Sequence, residues 1–240
     1  MSSTAATPAV QIRDLRFRWR PDLPEVLQIP ELTVAHGERI FIRGASGSGK
    51  STLLALLAGV NLPSAGDIQV LGEKIGRLSG SRRDHFRSDH IGFVFQMFNL
   101  IPYLSVLENV TLPCRFSRLR REKAMRSGGT LHDEAIRLLS HLGMADDELI
   151  HRPVTELSVG QQQRVATARA LIGAPEIIIA DEPTSALDSD MRHAFIQLMF
   201  QECDETGSTL LFVSHDRQLE SLFQHHITLE EINQAPGGMA

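Results

Sequence analysis

Between the apolar run Arg39-Ile40-Phe41-Ile42-Arg43 and the run Leu53-Leu54-Ala55-Leu56-Leu57-Ala58 the chain reads Gly44-Ala45-Ser46-Gly47-Ser48-Gly49-Lys50-Ser51-Thr52. A buried strand, a glycine-rich turn and a helix in that order are the setting a phosphate-binding loop requires. The three glycines let the backbone curl so that successive N–H groups point inward at phosphate oxygens. The loop ends at a helix N-terminus, where unpaired N–H groups and the helix dipole favour an anion. Lys50 is placed to reach the β- and γ-phosphates of a nucleotide, and the Ser51 hydroxyl to ligate a magnesium ion. A glycine- and serine-rich surface turn that happens to hold a lysine is the bland alternative, and the flanking strand and helix argue against it.

The remaining composition narrows the class. At 240 residues the chain can build one sizeable α/β domain with room for an inserted subdomain. A net charge of −5 implies no general attraction to nucleic acid. Cys114 and Cys203 fit no C-x-x-C spacing, so a reducing compartment is the default. The first eleven residues have neither a basic nor an apolar region, so no secretory signal is expected. The longest apolar runs, 53–60 and 177–180, fall far short of the ~20 residues that span a bilayer. A role at a membrane would be exercised from outside the lipid.

Residues 10–34 alternate apolar and polar in two bursts broken by Arg20-Pro21-Asp22-Leu23-Pro24, which predicts an antiparallel pair of strands. Pro63-Ser64-Ala65-Gly66-Asp67 reads as a turn before a strand at 68–70, and 91–95 as another strand ending on Gln96. Ser105-Val106-Leu107-Glu108 is a capping-box pattern for a short helix ending near Pro113. Residues 115–126 hold six basic side chains and one acid. That run admits two readings: a solvated helix face, or a surface for anionic lipid or an acidic partner loop. Leu131, Ala135, Leu138, Leu139 and Leu142 form a helical stripe stopped by Gly143. Ser158 caps a further helix with Val165, Ala168, Leu171 and Ile172 on its apolar face and Gly173 past its end. Residues 177–181 and 209–213 are continuously apolar, as in the buried centre of a parallel sheet. Asp188 is expected to cap the helix between them. The fold class is therefore α/β, a P-loop core with a mostly parallel central sheet and an N-terminal antiparallel part. The core is expected to comprise 1–97 and 153–240, with a helical subdomain inserted at 98–152.

Four features carry chemistry beside the loop. Asp181-Glu182 closes an apolar strand, and behind a phosphate-binding loop Asp181 would hold the metal and Glu182 orient or deprotonate the attacking water. Leu157-Ser158-Val159-Gly160-Gln161 sets a serine and a glycine at a helix N-terminus, a second anion-binding geometry. Gln96 follows a strand where a neutral side chain could touch both metal and water. His215 follows the last strong strand, as a sensor of the γ-phosphate would. Each has an ordinary structural reading when taken alone: a helix cap, a well-capped helix, a polar strand end, a structural histidine.

In order along the chain these residues resemble the ATP-binding subunit of an ABC transporter, and the likeness covers most of the chain. Residues 44–52 look like Walker A, 177–182 like Walker B, 157–161 like the signature motif, Gln96 like the Q-loop, Ser185-Ala186-Leu187-Asp188 like the D-loop and His215 like the H-loop residue. Trp19 falls where the family has an aromatic that stacks on adenine. Residues 91–100 with Leu107-Glu108-Asn109-Val110 look most like the lipoprotein-release and macrolide-export subgroup. One departure stands out: Val159 replaces the first glycine of the usual Leu-Ser-Gly-Gly-Gln. The segment after His215 is short, with no room for a regulatory domain.

The resemblance implies a working unit. Two nucleotide-binding subunits, most simply identical chains, would close head to tail, each ATP and Mg²⁺ lying between one Walker A and the partner's Ser158, Gly160, Gln161 and Asp188. The Mg²⁺ ligands would be Ser51, Gln96 and Asp181; the catalytic residues Glu182, His215 and Gln96. The partner would be a transmembrane permease held at the cytoplasmic face of the membrane, contacted through Phe98, Leu100, Ile101, Tyr103 and Leu104; no nucleic-acid partner is expected. The rival reading is a soluble ATPase of the same type, such as an assembly factor, that drives no transport.

Overall fold

The structure is a computed structural model that describes residues 7–126, 128–144, 146, 148–185, 187 and 189–236, with the side chains of 189–191 not described. In chain order the strands and helices are β1 (Val10–Phe17), β2 (Leu27–Val34), β3 (Arg39–Arg43), α1 (Lys50–Leu57), β4 (Ala65–Val70), β5 (Glu73–Lys74), α2 (Gly80–His90) and β6 (Ile91–Val94). There follow α3 (Val106–Thr111), α4 (Pro113–Phe116), α5 (Arg118–Ala124), α6 (Leu131–His141), α7 (Val159–Leu171), β7 (Ile177–Asp181), α8 (Ser189–Thr206), β8 (Thr209–Val213), β9 (His225–Thr228) and α9 (Leu229–Ile232). The chain divides into two compact units, 1–84 with 209–240, and 85–208.

The first unit contains the expected antiparallel pair, β1 on β2, extended by β4 and β5. Val10, Ile12, Leu15 and Phe17 point inward, and the alternation skips a residue at Asp14, where the pairing with β4 shifts register. At this bulge Gly66 has φ 85, and a Cβ there would stand 2.3 Å from the Asp14 carbonyl oxygen. The expected turn at 63–67 is therefore too long: Ala65, Gly66 and Asp67 already belong to the strand. Beside this sheet β3 lies between β8 and β9, all parallel, with Ile42 opposite Val213 and Ile227. Phe41, Phe212 and Phe223 cluster with ring centroids 5.1–6.0 Å apart. A fully buried side chain of this size contributes about 1.5–3 kcal/mol by leaving water.

In the second unit β6 and β7 are parallel, with Val94 opposite Ala180. Helix α3 packs on α6 and α7 through Val106, Val110, Ala135, Leu138, Leu139 and Val165, all buried. The capping box at Ser105 forms as expected, and two more form at Thr130 and Ser158. Pro113 starts α4 rather than simply ending a helix, since a proline at the first position sacrifices no hydrogen bond.

Two sequence expectations are corrected. Helix α2 was not anticipated, because none of its eleven residues is buried and no apolar stripe marks it. The basic run is neither a uniformly solvated face nor a uniformly exposed surface. Arg120 is only 3% exposed; its guanidinium donates to the carbonyls of Ile172 (2.8 Å from Nε) and Ala170 (2.7 Å from Nη2) at the C-terminal end of α7. A cation there complements the negative end of the helix dipole. Burial pulls the Arg120 pKa down to about 10, which leaves it charged. Gly173 has φ 72, and a Cβ there would lie 2.4 Å from the Arg120 carbonyl oxygen, so this close approach needs glycine.

Candidate functional site

In the first unit β3 and β8 end side by side, joined beyond the register by Ser214 N–H donating to the Ile42 carbonyl at 3.3 Å. The loops that leave these ends carry residues 44–49 and Ser214-His215. Ligands of parallel α/β sheets bind off the carboxyl ends of adjacent strands. Gly47 and Gly49 have φ 82 and 101, values that glycine adopts without strain. A Cβ on Gly44 would stand 2.5 Å from the Ser48 hydroxyl, and one on Gly49 2.8 Å from Leu27 Cδ2. Helix α1 starts at Lys50 without a side-chain cap. Its first N–H groups are the kind of donors an anion satisfies. Ser48 Oγ is buried without a hydrogen-bond partner. A bare helix start, an orphaned hydroxyl and a cradle that a Cβ would fill all fit a polyphosphate.

Lys50 Nζ donates to the carbonyls of Gly44 at 2.7 Å and Ala45 at 2.8 Å, spanning the loop. Ser51 is exposed at the first turn and Thr52 is buried. Ala45 and Ser46 are exposed, and the Ala45 N–H donates to Glu230 Oε1 at 2.5 Å. Burial works to raise the pKa of Glu230, yet the Ala45 hydrogen bond and the charges of Lys50 and Arg43 leave it below the usual value. Trp19 is 57% exposed, held edge-on to Phe17 with centroids 5.0 Å apart. It borders a cavity of about 450 Å³ with Arg16, Arg18, Arg20 and Glu25, where Arg18 pairs with Glu25 at 2.6 Å. His215 is exposed, while Ser214 before it is buried and accepts the Asp216 N–H at 3.2 Å.

In the second unit the ends of β6 and β7 are likewise neighbours, and they release Gln96 and Asp181-Glu182. Gln96 is exposed. Glu182 is nearly buried and has φ 48, a left-handed conformation that a non-glycine residue takes at a cost of about 1–3 kcal/mol. Such strain clusters where a side chain must be aimed. Fully buried Gln163 of α7 donates its amide to the Pro183 carbonyl, tying this helix to the residue after Glu182.

At the start of α7 the Ser158 hydroxyl accepts the Gln161 N–H at 3.3 Å, and Gln161 Oε1 accepts the Ser158 N–H at 2.8 Å. Val159 is 52% exposed. Among the described residues a Cβ on Gly160 would meet only Leu187 Cδ2, at an ordinary 3.7 Å. Of the five large side chains expected to face a partner, Tyr103 is 82% exposed, while Phe98, Leu100, Ile101 and Leu104 are half-buried. Asp188 and Ala186 lie outside the described residues. Sequence reasoning missed Glu230 and Gln163. The first is remote from the loop in sequence, and the second grips a backbone carbonyl, which leaves no mark in a residue pattern.

Comparison with known proteins gives these parts a common context. The ABC transporter family model matches residues 27–185. The uncharacterized ABC transporter ATP-binding protein YbbA of Escherichia coli K12 is 45% identical over 189 residues, 79% of each chain. The lipoprotein-releasing system ATP-binding protein LolD of Syntrophotalea carbinolica is 40% identical over 195 residues, 81% of this chain and 82% of that one. The macrolide export ATP-binding/permease protein MacB of Chromobacterium violaceum is 40% identical over 90% of this chain, which spans 32% of that longer protein. The dimeric ATP-binding cassette MJ0796, solved in a post-hydrolysis state with ADP and Pi, superposes with a TM-score of 0.77 at 35% identity, covering 91% of this chain and 93% of its own. Sequence and fold agree over nearly the whole length, and the chain belongs to the ABC transporter family as an ATP-binding, ATP-hydrolysing cassette.

Proposed function

We propose that two copies of this cassette close head to tail around two Mg·ATP and that hydrolysis drives substrate export or release by a separate membrane permease, from the cytoplasmic face of the membrane. No helix among the described residues is long and apolar enough to cross a membrane. In this reading the spanning part of the system is a separate chain.

In this reading Trp19 stacks on adenine and residues 44–52 enclose the phosphates, with Lys50 drawn off its two carbonyls by the stronger charge of the polyphosphate. Ser51, Gln96 and Asp181 would hold Mg²⁺, whose charge neutralises the β- and γ-oxygens. Glu182 orients and deprotonates the attacking water, and His215 contacts the γ-phosphate. Ser158, Gly160, Gln161 and Asp188 act on the nucleotide of the other copy. The helical insert at 98–152 receives the permease, with Tyr103 at its most exposed point.

Gly160 carries the proposal. Among the described residues nothing crowds a side chain at that position. A first helical turn without a side chain at this position lets an anion from another molecule approach closely. The test mixes two inactive variants. Ser158→Arg should bind ATP as a monomer but fail to dimerise, and Lys50→Ala should lose ATP. Their heterodimer keeps one composite site undamaged, so partial recovery of ATP-dependent dimerisation is expected. Normal dimerisation and turnover by Ser158→Arg alone would defeat the head-to-tail arrangement.

A further inference from the structure

Three residues after Gln96 the backbone has already passed through two consecutive left-handed residues, Phe98 with φ 58 and Asn99 with φ 50. Asparagine tolerates this conformation, but a phenylalanine with its full Cβ does not adopt it unaided. Such pairs persist only where the surroundings over-determine them. Local hydrogen bonds account for part of the bend: Phe98 N–H donates to the Phe95 carbonyl at 3.0 Å and Asn99 N–H to the Met97 carbonyl at 2.6 Å.

The rest comes from α7. Arg169 Nη2 donates to the Phe98 carbonyl at 2.6 Å and its Nη1 to the Asn99 carbonyl at 2.6 Å. A guanidinium presents two N–H groups in a rigid planar fork, so it can hold two successive carbonyls at a fixed spacing; an ammonium cannot. Among the described residues no carboxylate pairs with Arg169, and burial lowers its pKa. Its charge is balanced by these carbonyl dipoles. Arg169 also sits near the C-terminal end of the helix that begins next to Ser158. Thirteen residues of α-helix make a rod about 20 Å long, rising ~1.5 Å per residue. One end of that rod carries Ser158 and Gly160; the other grips the loop of Gln96.

We propose that Arg169 is a positioning residue that locks the Gln96 loop to helix α7, so that Gln96 and the Ser158 end of the helix move as one body. This rests on the roles given above to Gln96 and Ser158. If Gln96 shifts toward a bound metal and nucleotide, the pinned carbonyls would carry the displacement into α7. When the loop is moved from outside, the same pin moves Gln96.

The whole protein tests this by steady-state ATPase assay. Arg169→Ala should lower kcat about tenfold, equivalent to 1.4 kcal/mol, while the KM for ATP stays within about twofold. Arg169→Lys should recover little, because it keeps the charge and loses the fork. Phe98→Gly placed in the Arg169→Ala background should restore at least about threefold of the lost rate, because glycine takes the left-handed bend without needing the pin. That rescue separates positioning from general stability, since glycine in a loop should not repair a weakened fold. Full activity in Arg169→Lys, or no rescue by Phe98→Gly, overturns the proposal. Gln96→Ala is measured alongside. A slow Gln96→Ala with a normal Arg169→Ala rejects the pin alone, whereas a normal Gln96→Ala rejects the role of Gln96 and the pin with it.

Discussion

Asn109 and Ile101 hold each other twice: Asn109 Oδ1 accepts the Ile101 N–H at 2.8 Å, and Asn109 Nδ2 donates to the Ile101 carbonyl at 3.1 Å. Nδ2 also reaches the carbonyls of Leu104 at 3.3 Å and Ser105 at 3.1 Å. A fully buried amide thus gives the Ile101 N–H its acceptor and adds a second donor to carbonyls that already accept from the backbone. Asn109→Leu should cost about 1–3 kcal/mol, the penalty for leaving buried polar groups unsatisfied. Chemical denaturation would show a lower midpoint with an unchanged slope. An unchanged midpoint would mean that water replaces the amide.

Hydrolysis should fail selectively at Glu182. Glu182→Gln should lower turnover by about 10²–10⁴-fold, the range for loss of a general base. Its ATP affinity should be retained, and because ATP then persists between copies, the variant should accumulate as an ATP-dependent dimer by size-exclusion chromatography. Near-normal turnover would reassign the catalytic carboxylate.

Coupling should depend on the exposed part of the loop after Gln96. Tyr103 and Met97 are 82% and 81% exposed, whereas Ile101 is half-buried and fastened by Asn109. Tyr103→Ala with Met97→Ala should therefore leave basal ATPase within about threefold, below the tenfold that 1.4 kcal/mol produces. The same variant should be lost from membrane fractions that retain the wild type. Retention on membranes would reject this surface as the docking site.

Glu176 provides a pH signature. Partial burial works to raise its pKa, but hydrogen bonds with His90 at 3.0 Å and Lys123 at 2.6 Å overcome that and hold it at about 2. Between its ordinary value near 4.5 and about 2, the unfolded chain binds this proton and the folded chain does not. Stability is thus lost as pH falls through that window and is fully present above it. Glu176→Gln should lower the melting temperature at pH 7, and the gap to wild type should narrow by pH 3. A gap independent of pH would show that the charge contributes nothing.

What could be read in advance followed local pattern. Alternation placed β1 and β2, unbroken apolar runs placed β7 and β8, and the Ser105 box and Ser158 cap placed the starts of α3 and α7. The glycine-rich loop was legible because strand, turn and helix all bear on the same few residues. Helix α2 was not, since a helix with no fully buried residue leaves no apolar stripe. Arg120, Arg169 and Gln163 grip backbone carbonyls of residues distant in sequence, and any residue can present a carbonyl. In a run of six basic side chains nothing distinguishes the one that turns inward.

Residues 229–234 have a practical consequence for anyone shortening or tagging this protein. Asn233 bonds Gln28 N–H at 2.8 Å and the Val26 carbonyl at 3.0 Å, and Val26 and Leu27 are the side chains against which Gly49 sits. With Glu230 on Ala45, these residues brace the glycine-rich loop at its entry and its exit. Truncation after Thr228 would remove both braces together, and its damage would surface as weakened nucleotide affinity and not as a trimmed tail. A fusion partner attached here would pull on the same two points.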